Sequence, residues 1–295
     1  DGLLTVGGDE ACLWDIATGR PKMLFSRQGA VASARFSPDG KHVVTSSWDR
    51  AVRIWNVETG LPEGKLDGHA SLVNDAAFSA DGNSIVTASN DKTAILWDVR
   101  DVRHPKILHI FKGHAGAVRR AVLFTAAGGA KRLLTASQDG TVRIWDVQTE
   151  QTLCTLTHKQ AVLCVAVSQD GTRILTGSED NVVILWSLKN DRADELFRLE
   201  GHTAAVTSVA FSPDASRAIT GSRDDTAKLW ELQGGKELMT LTGHSQEVTT
   251  VAFSRDGKNA LTGGADGTIV VWPTVDWKAT FPADARPRQP VASAR

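Results

Sequence analysis

The chain has 295 residues, and its 33 basic and 34 acidic side chains leave a formal net charge of −1. So even a balance provides no global field for nucleic acid or an anionic membrane surface. No apolar stretch reaches the roughly 20 residues of a membrane span, and the start lacks the basic and apolar regions of a signal peptide.

The first predicted strand runs from Leu3 to Gly7, with Asp9 and Trp14 behind it. Trp14 opens a series continued by Trp55, Trp97, Trp145, Trp186, Trp230 and Trp272, at intervals of 41, 42, 48, 41, 44 and 42 residues. Each closes an apolar run such as Val52-Arg53-Ile54-Trp55. A period of about 40 to 45 residues with one such Trp per unit predicts a radial array of four-stranded antiparallel blades. The expected fold is an all-β, seven-bladed β-propeller, a class that offers surface to partners more often than it encloses a reaction.

Val31 to Arg35 is the first strand of the second repeat, which carries Ser47, Asp49 and Trp55 but Arg27 where other repeats have His. In the third repeat, Val73 to Phe78 and Ser84 to Ser89 are strands joined by the tight-turn signal Ser79-Ala80-Asp81-Gly82. Asn90-Asp91-Lys92 turns the chain into a third strand, Thr93 to Val99, and Leu66 marks a short strand on the preceding turn. The distance from His to the closing Trp is 28 residues in His69–Trp97, His158–Trp186, His202–Trp230 and His244–Trp272, and 31 in His114–Trp145. The fourth repeat's surplus lies in its first hairpin turn, around Thr125 to Ala130. Such insertions map to one rim, and the opposite rim keeps nearly constant loops. At the end, Val291 to Arg295 repeats Val31 to Arg35 and is expected to complete blade 1 as its innermost strand. Blade 1 then comprises about 1–28 plus 290–295 and blades 2 to 7 about 29–289, in one domain spanning 1–295. The alternative is a slice of a longer repeat array. Trp277 is expected to pack the last outer strand.

Stretches such as Gly201-His202, Phe211-Ser212-Pro213-Asp214, Thr220-Gly221-Ser222-Arg223-Asp224 and Leu229-Trp230 resemble the WD-repeat (WD40) β-propellers over essentially the whole chain. The resemblance implies a buried network in each blade: the Trp indole donates to a Ser or Thr hydroxyl, which meets the His, which meets the turn Asp. Carried over, the complete sets are His69, Ser89, Asp91 and Trp97; His114, Ser137, Asp139 and Trp145; His158, Ser178, Asp180 and Trp186; and His202, Ser222, Asp224 and Trp230. The seventh repeat has His244, Asp266 and Trp272 but Gly264 in place of Ser, and the first has Asp9 and Trp14 with Gly7 for Ser. Blades 1, 2 and 7 are therefore expected to be less firmly tied. A buried indole N–H needs an acceptor whatever the family.

Ser, His and Asp together invite a hydrolase reading, but four copies tied to a burying Trp argue against catalysis. No His is grouped at zinc spacing and no Gly-rich phosphate loop opens a helix, so no metal and no cofactor are expected. Cys12, Cys154 and Cys164 lack framework spacing and read as strand packing in a reducing, cytoplasmic compartment. What remains is recognition of a protein or peptide by a monomeric scaffold. Residues just before the turn Asp vary within a repeated frame, and Trp48, Asn90, Gln138, Glu179 and Arg223 are the candidate partner-binding positions, with Arg119 on an inner strand. Aromatic and Arg residues are favoured at binding hot spots. Packing of Trp48 on the Arg50 or Arg27 stems, and solvation or ion-pairing of Arg119 and Arg120, are the structural alternatives. Two other functional readings stay open: a regulatory or sensor domain of a larger bacterial signalling protein such as a Ser/Thr kinase, and an engineered or permuted propeller without a native partner.

Overall fold

The structure, a computed structural model, describes residues 2–26 and 29–274. Arg27, Trp277 and the segment 290–295, on which three expectations fall, lie outside the described residues. The chain divides into two compact units, 1–157 and 158–295. In the first, blade 1 comprises β1 (Gly2–Gly7), β2 (Glu10–Asp15) and β3 (Arg20–Phe25), and blade 2 comprises β4 (Val31–Phe36), β5 (His42–Ser47), β6 (Val52–Asn56) and β7 (Pro62–Leu66). Blade 3 is β8 (Val73–Phe78), β9 (Ser84–Ser89), β10 (Ala94–Asp98) and β11 (Lys106–Phe111), and blade 4 is β12 (Val118–Thr125), β13 (Lys131–Ser137), β14 (Thr141–Asp146) and β15 (Thr152–Thr157). The second unit holds blade 5, with β16 (Val162–Val167), β17 (Arg173–Ser178), β18 (Val183–Lys189) and β19 (Arg192–Leu199), and blade 6, with β20 (Val206–Phe211), β21 (Arg217–Ser222), β22 (Thr226–Glu231) and β23 (Lys236–Thr242). Blade 7 follows with β24 (Val248–Phe253), β25 (Asn259–Gly264) and β26 (Ile269–Pro273). All seven sheets are antiparallel meanders, the blades of a β-propeller; among the described residues blades 1 and 7 show three strands each.

The second strand of blades 2 to 6 is buried on both faces, as a strand covered on both sides requires. Ile85 to Ser89 in β9 are all buried, as are Ile174 to Ser178 in β17. Within each unit the Trp of one blade packs on the last apolar residue of the outer strand before it. Phe25 lies 5.7 Å from Trp55 and Phe111 meets Trp145 edge-on at 5.7 Å, ring centre to ring centre. Leu66 with Trp97 and Leu199 with Trp230 share cores in the same way. Burying an indole of roughly 200 Å² at ~25 cal/mol/Å² contributes about 5 kcal/mol as an upper bound. One Trp per period is therefore the residue that joins a blade to its neighbour.

The innermost strands contain a feature that the periodicity did not predict. Every one from β4 to β24 carries a bulge at its second residue, as between Val73 and Asp75 or Val206 and Ser208. A bulge re-aims its side chain. Asn74 Nδ2 consequently donates to the Val118 carbonyl at 2.8 Å, and Thr207 Oγ1 to the Val248 carbonyl, each on the following blade. The third residue receives a bond in return: Ala76 N donates to Ser33 Oγ at 3.1 Å and Val251 N to Ser208 Oγ at 3.1 Å. Opposite this bulge the second strand narrows to a small residue. A Cβ on Gly221 would lie 2.7 Å from Val248 Cγ1 and 2.9 Å from Val251 Cγ1 of blade 7. Overpacking at such a contact costs typically about 1–3 kcal/mol, so Gly221→Val is expected to lower the urea midpoint accordingly at unchanged slope.

Candidate partner-binding rim

In every blade the Trp indole Nε1 donates to a Thr hydroxyl, at 2.8–3.0 Å from Trp14 to Thr5, Trp55 to Thr45, Trp97 to Thr87, Trp145 to Thr135, Trp186 to Thr176, Trp230 to Thr220 and Trp272 to Thr262. The expected acceptor, the Ser two residues before the turn Asp, is thus corrected to a Thr four residues before it. Strand register gives the reason. Trp97 stands opposite Ile85, so Thr87 is the next residue on its face, about 7 Å along, whereas Ser89 is about 13 Å away, past an indole's reach. The seven Thr recur at one offset from the turn Asp, a signal more regular than Ser or His, and one the motif reading passed over.

The same hydroxyls meet His Nε2 at 2.7–2.8 Å in blades 3 to 7, from His69, His114, His158, His202 and His244. Nδ1 reaches Asp91, Asp139, Asp180, Asp224 or Asp266 at 2.8–3.2 Å. One tautomer satisfies the whole relay: Nδ1–H donates to the carboxylate and Nε2 accepts from the Thr, whose oxygen accepts from the indole. Ser89, Ser137, Ser178 and Ser222 have a different duty. Each donates to a carbonyl of the loop before the innermost strand and accepts from the Asp N–H, as Ser137 does with Gly116 and Asp139.

Blade 7 completes its relay without Ser, through Thr262, His244, Asp266 and Trp272, and Gly264 forgoes only the two bonds that Ser makes in blades 3 to 6. In blade 2, Asp49 is held by Arg53 Nη2 at 2.6 Å. Blade 1 keeps the Trp14–Thr5 bond. Burial alone would raise the carboxyls of Asp91 and Asp139, but hydrogen bonds from His and Thr overcome it and hold both well below the usual range. Burial lowers the His114, His158 and His202 imidazoles, against the pull of their carboxylate partners.

These carboxylates pin the turns that make the rim. Asp139 accepts from Ala115 N, Thr141 N and Thr141 Oγ1 at 2.6–2.9 Å. The residue before each Asp then docks its own N–H, at 2.9 Å, on the carbonyl just ahead of the innermost strand: Trp48 on Ala30, Asn90 on Leu72, Gln138 on Ala117, Glu179 on Ala161 and Arg223 on Ala205. In the first unit Trp48 is 56% exposed and Gln138 is exposed. Asn90 is engaged by Asn74, whose Oδ1 accepts from Arg119 at 3.4 Å, so these three form a chain running down from the rim. Arg120 pairs with the buried Asp75. In the second unit Arg223 stands between Glu247 at 3.2 Å and Glu179 at 4.0 Å, one from each neighbouring blade. The rim candidates thus form two groups, one per unit. Among the described residues no three His, Cys, Asp or Glu side chains gather where they would hold a metal ion.

Two predictions follow from the relay. Asp139→Ala strands a buried His and three donors and should cost about 1–3 kcal/mol by denaturant titration, against about 0.5 kcal/mol or less for exposed Asp9→Ala. For pH, the imidazoles of His114, His158 and His202 are lowered in the folded state, so the unfolded chain binds the extra protons. Their contribution is complete above the ordinary imidazole value of about 6.5 and is lost as pH falls below it, with the depressed carboxylates adding a second loss below about 4. The thermal midpoint should therefore fall between pH 7.5 and 5, and His202→Gln should flatten that dependence.

The family described as WD40, the WD domain or G-beta repeat, matches the chain at residues 19–56, 60–98, 105–146, 150–187, 193–231 and 235–273. Each match takes in the outer strand of one blade and the first three of the next, so the sequence repeat straddles the blade boundary that the Trp seals. Pre-mRNA-splicing factor cwf17 of Schizosaccharomyces pombe is 30% identical over 180 residues, 61% of this chain and 51% of that protein. WD repeat-containing protein 37 of Xenopus laevis is 34% identical over 148 residues, 49% of this chain and 28% of that protein. Autophagy-related protein 16 of Arabidopsis thaliana is 25% identical over 181 residues, 58% of this chain and 33% of that protein. The chain spans about half or less of the length of these curated relatives. With six matches covering most of its length, and a Trp–Thr bond in each of seven blades, the chain belongs to the WD40 repeat family.

Proposed function

We propose that the protein is a non-catalytic scaffold that holds a protein or peptide partner on the rim formed by the residues before the turn Asp. The observation that carries this reading is the contrast within each repeat. Turn Asp, Thr and Trp are constant and committed to the fold, while the residue beside them changes from Trp48 to Asn90, Gln138, Glu179 and Arg223. The His–Asp pairs do not supply a nucleophile to substrate, because the hydroxyl each His faces is at most 1% exposed and already accepts from an indole. Similarity to WD-repeat proteins named for splicing and autophagy supports an interaction role over a sensor domain or a partnerless propeller. The free thiols of Cys12, Cys154 and Cys164 favour a reducing, cytoplasmic setting.

In the first unit the side chains available to a partner are an exposed indole, Gln138 and the basic side chains of the turn. Arg50 and Lys92 occupy the left-handed region, with φ of 74° and 73°, at places where Gly140 and Gly267 sit in other blades. A non-Gly residue there costs about 1 kcal/mol or more, so the rim retains these cations against local preference. A partner with an acidic and apolar segment matches that surface. Trp48→Ala combined with Arg223→Ala should reduce partner recovery from source lysate about tenfold or more, with the circular dichroism melt unchanged. Equal recovery of the same proteins by wild type and variant would show that this edge is not the binding surface.

A further inference from the structure

The innermost strands of blades 2, 3 and 4 bring together charges that the blade frame does not require. Asp75, on β8, is 1% exposed, and its Oδ1 accepts from Arg35 Nη2 of β4 at 3.2 Å and from Arg120 Nη1 of β12 at 3.4 Å. Its Oδ2 is engaged by the backbone N–H of Ala121 at 3.4 Å. The equivalent third-position residues Ser33 and Ser208 make the matching interblade bond with a neutral hydroxyl, so a carboxylate is not needed for that purpose. Nor does the arrangement neutralise itself. Two guanidinium groups meet one oxygen end-on, each through a single N–H, and one positive charge remains.

The Arg35 and Arg120 side chains are 37% and 28% exposed, against 1% for the carboxylate between them. The anion is thus buried, while both guanidinium-bearing side chains are partly open to solvent. A guanidinium has five N–H donors in a fixed fork suited to a carboxylate or phosphate, and two forks held close by a shared internal counter-ion are preorganised to receive another oxyanion.

We propose that Arg35 and Arg120 form an oxyanion-binding site on the inner strands of the first unit, in which Asp75 positions both guanidinium groups and a carboxylate or phosphate on the partner chain completes their pairing. The identity of the incoming chain rests on the scaffold reading; the anion site itself does not, and it is tested on the isolated protein. Thermal midpoints of the full chain are compared in inorganic phosphate, acetate and chloride at equal ionic strength. Wild type should gain about 2–4 °C in the favoured anion over the neutral variant Arg35→Gln/Asp75→Asn/Arg120→Gln, which retains any general salt effect. A gain in phosphate alone assigns a phosphorylated side chain, and a gain in acetate assigns an Asp, Glu or terminal carboxylate. Arg35→Gln and Arg120→Gln each keep Asp75 and one fork, and each should bind phosphate more weakly than wild type in a phosphorus-31 line-broadening titration. Equal anion responses in wild type and neutral variant would overturn the proposal; should that variant not fold, phosphate binding by both single variants as tight as by wild type would overturn it. Undiminished partner capture by Trp48→Ala/Arg223→Ala with phosphate binding intact would refute the rim and leave this site standing.

Discussion

A buried indole N–H that must find an acceptor is the constraint on which the rest of the structure depends. The acceptor is a Thr hydroxyl one face-step along the neighbouring strand, and its two lone pairs and single proton allow it to join the indole to an imidazole. The Trp body seals the seam with the preceding blade while its N–H ties the middle of its own. The Thr leads to His, and His to Asp. Asp closes the turn whose outward residue forms the rim. A single hydrogen-bonded line thereby runs from the hydrophobic seam to the turns of the rim.

Variation among the blades shows which links can be replaced. Asp49 is served by the Arg53 guanidinium, Gly264 removes a Ser without breaking the relay of blade 7, and blade 1 keeps the indole–hydroxyl bond without the set of partners found in blades 3 to 7. In each case the Trp–Thr bond remains. A turn carboxylate can be anchored by any well-placed cation or donor, whereas an indole N–H inside a sheet has only the hydroxyl beside it.

The inner strands add a different kind of cohesion. Their bulges re-aim the second residue of each strand, and Asn74 and Thr207 there, with the Ser33 and Ser208 hydroxyls at the third position, bond across the seam. Blades pack face to face without a shared ladder, so these bonds satisfy inner-strand backbone groups that no ladder pairs. Asp75 with Arg35 and Arg120 exceeds that need, and its uncompensated charge sets it apart from the neutral bonds at equivalent places.

The periodic Trp, the turn Asp and the β-branched runs were enough to determine from sequence alone that the chain is all-β, that it has seven blades, and where the strands of the third repeat run. These features follow from local patterns: a period-two pleat, a turn needing Gly or Asp, and one large residue per repeat. Which hydroxyl the indole reaches was decided only in the folded state, because Ser89 and Thr87 lie on the same face and differ only in their distance from Trp97 along the strand pair. The pairing of Arg223 with Glu179 and Glu247, and of Asp75 with Arg35 and Arg120, likewise joins residues about 40 or more positions apart or on successive blades. Sequence determined the repeating wedge. The contacts between wedges were settled by tertiary packing, since charge and hydrogen-bond partners depend on which side chains meet across a seam that no single repeat contains.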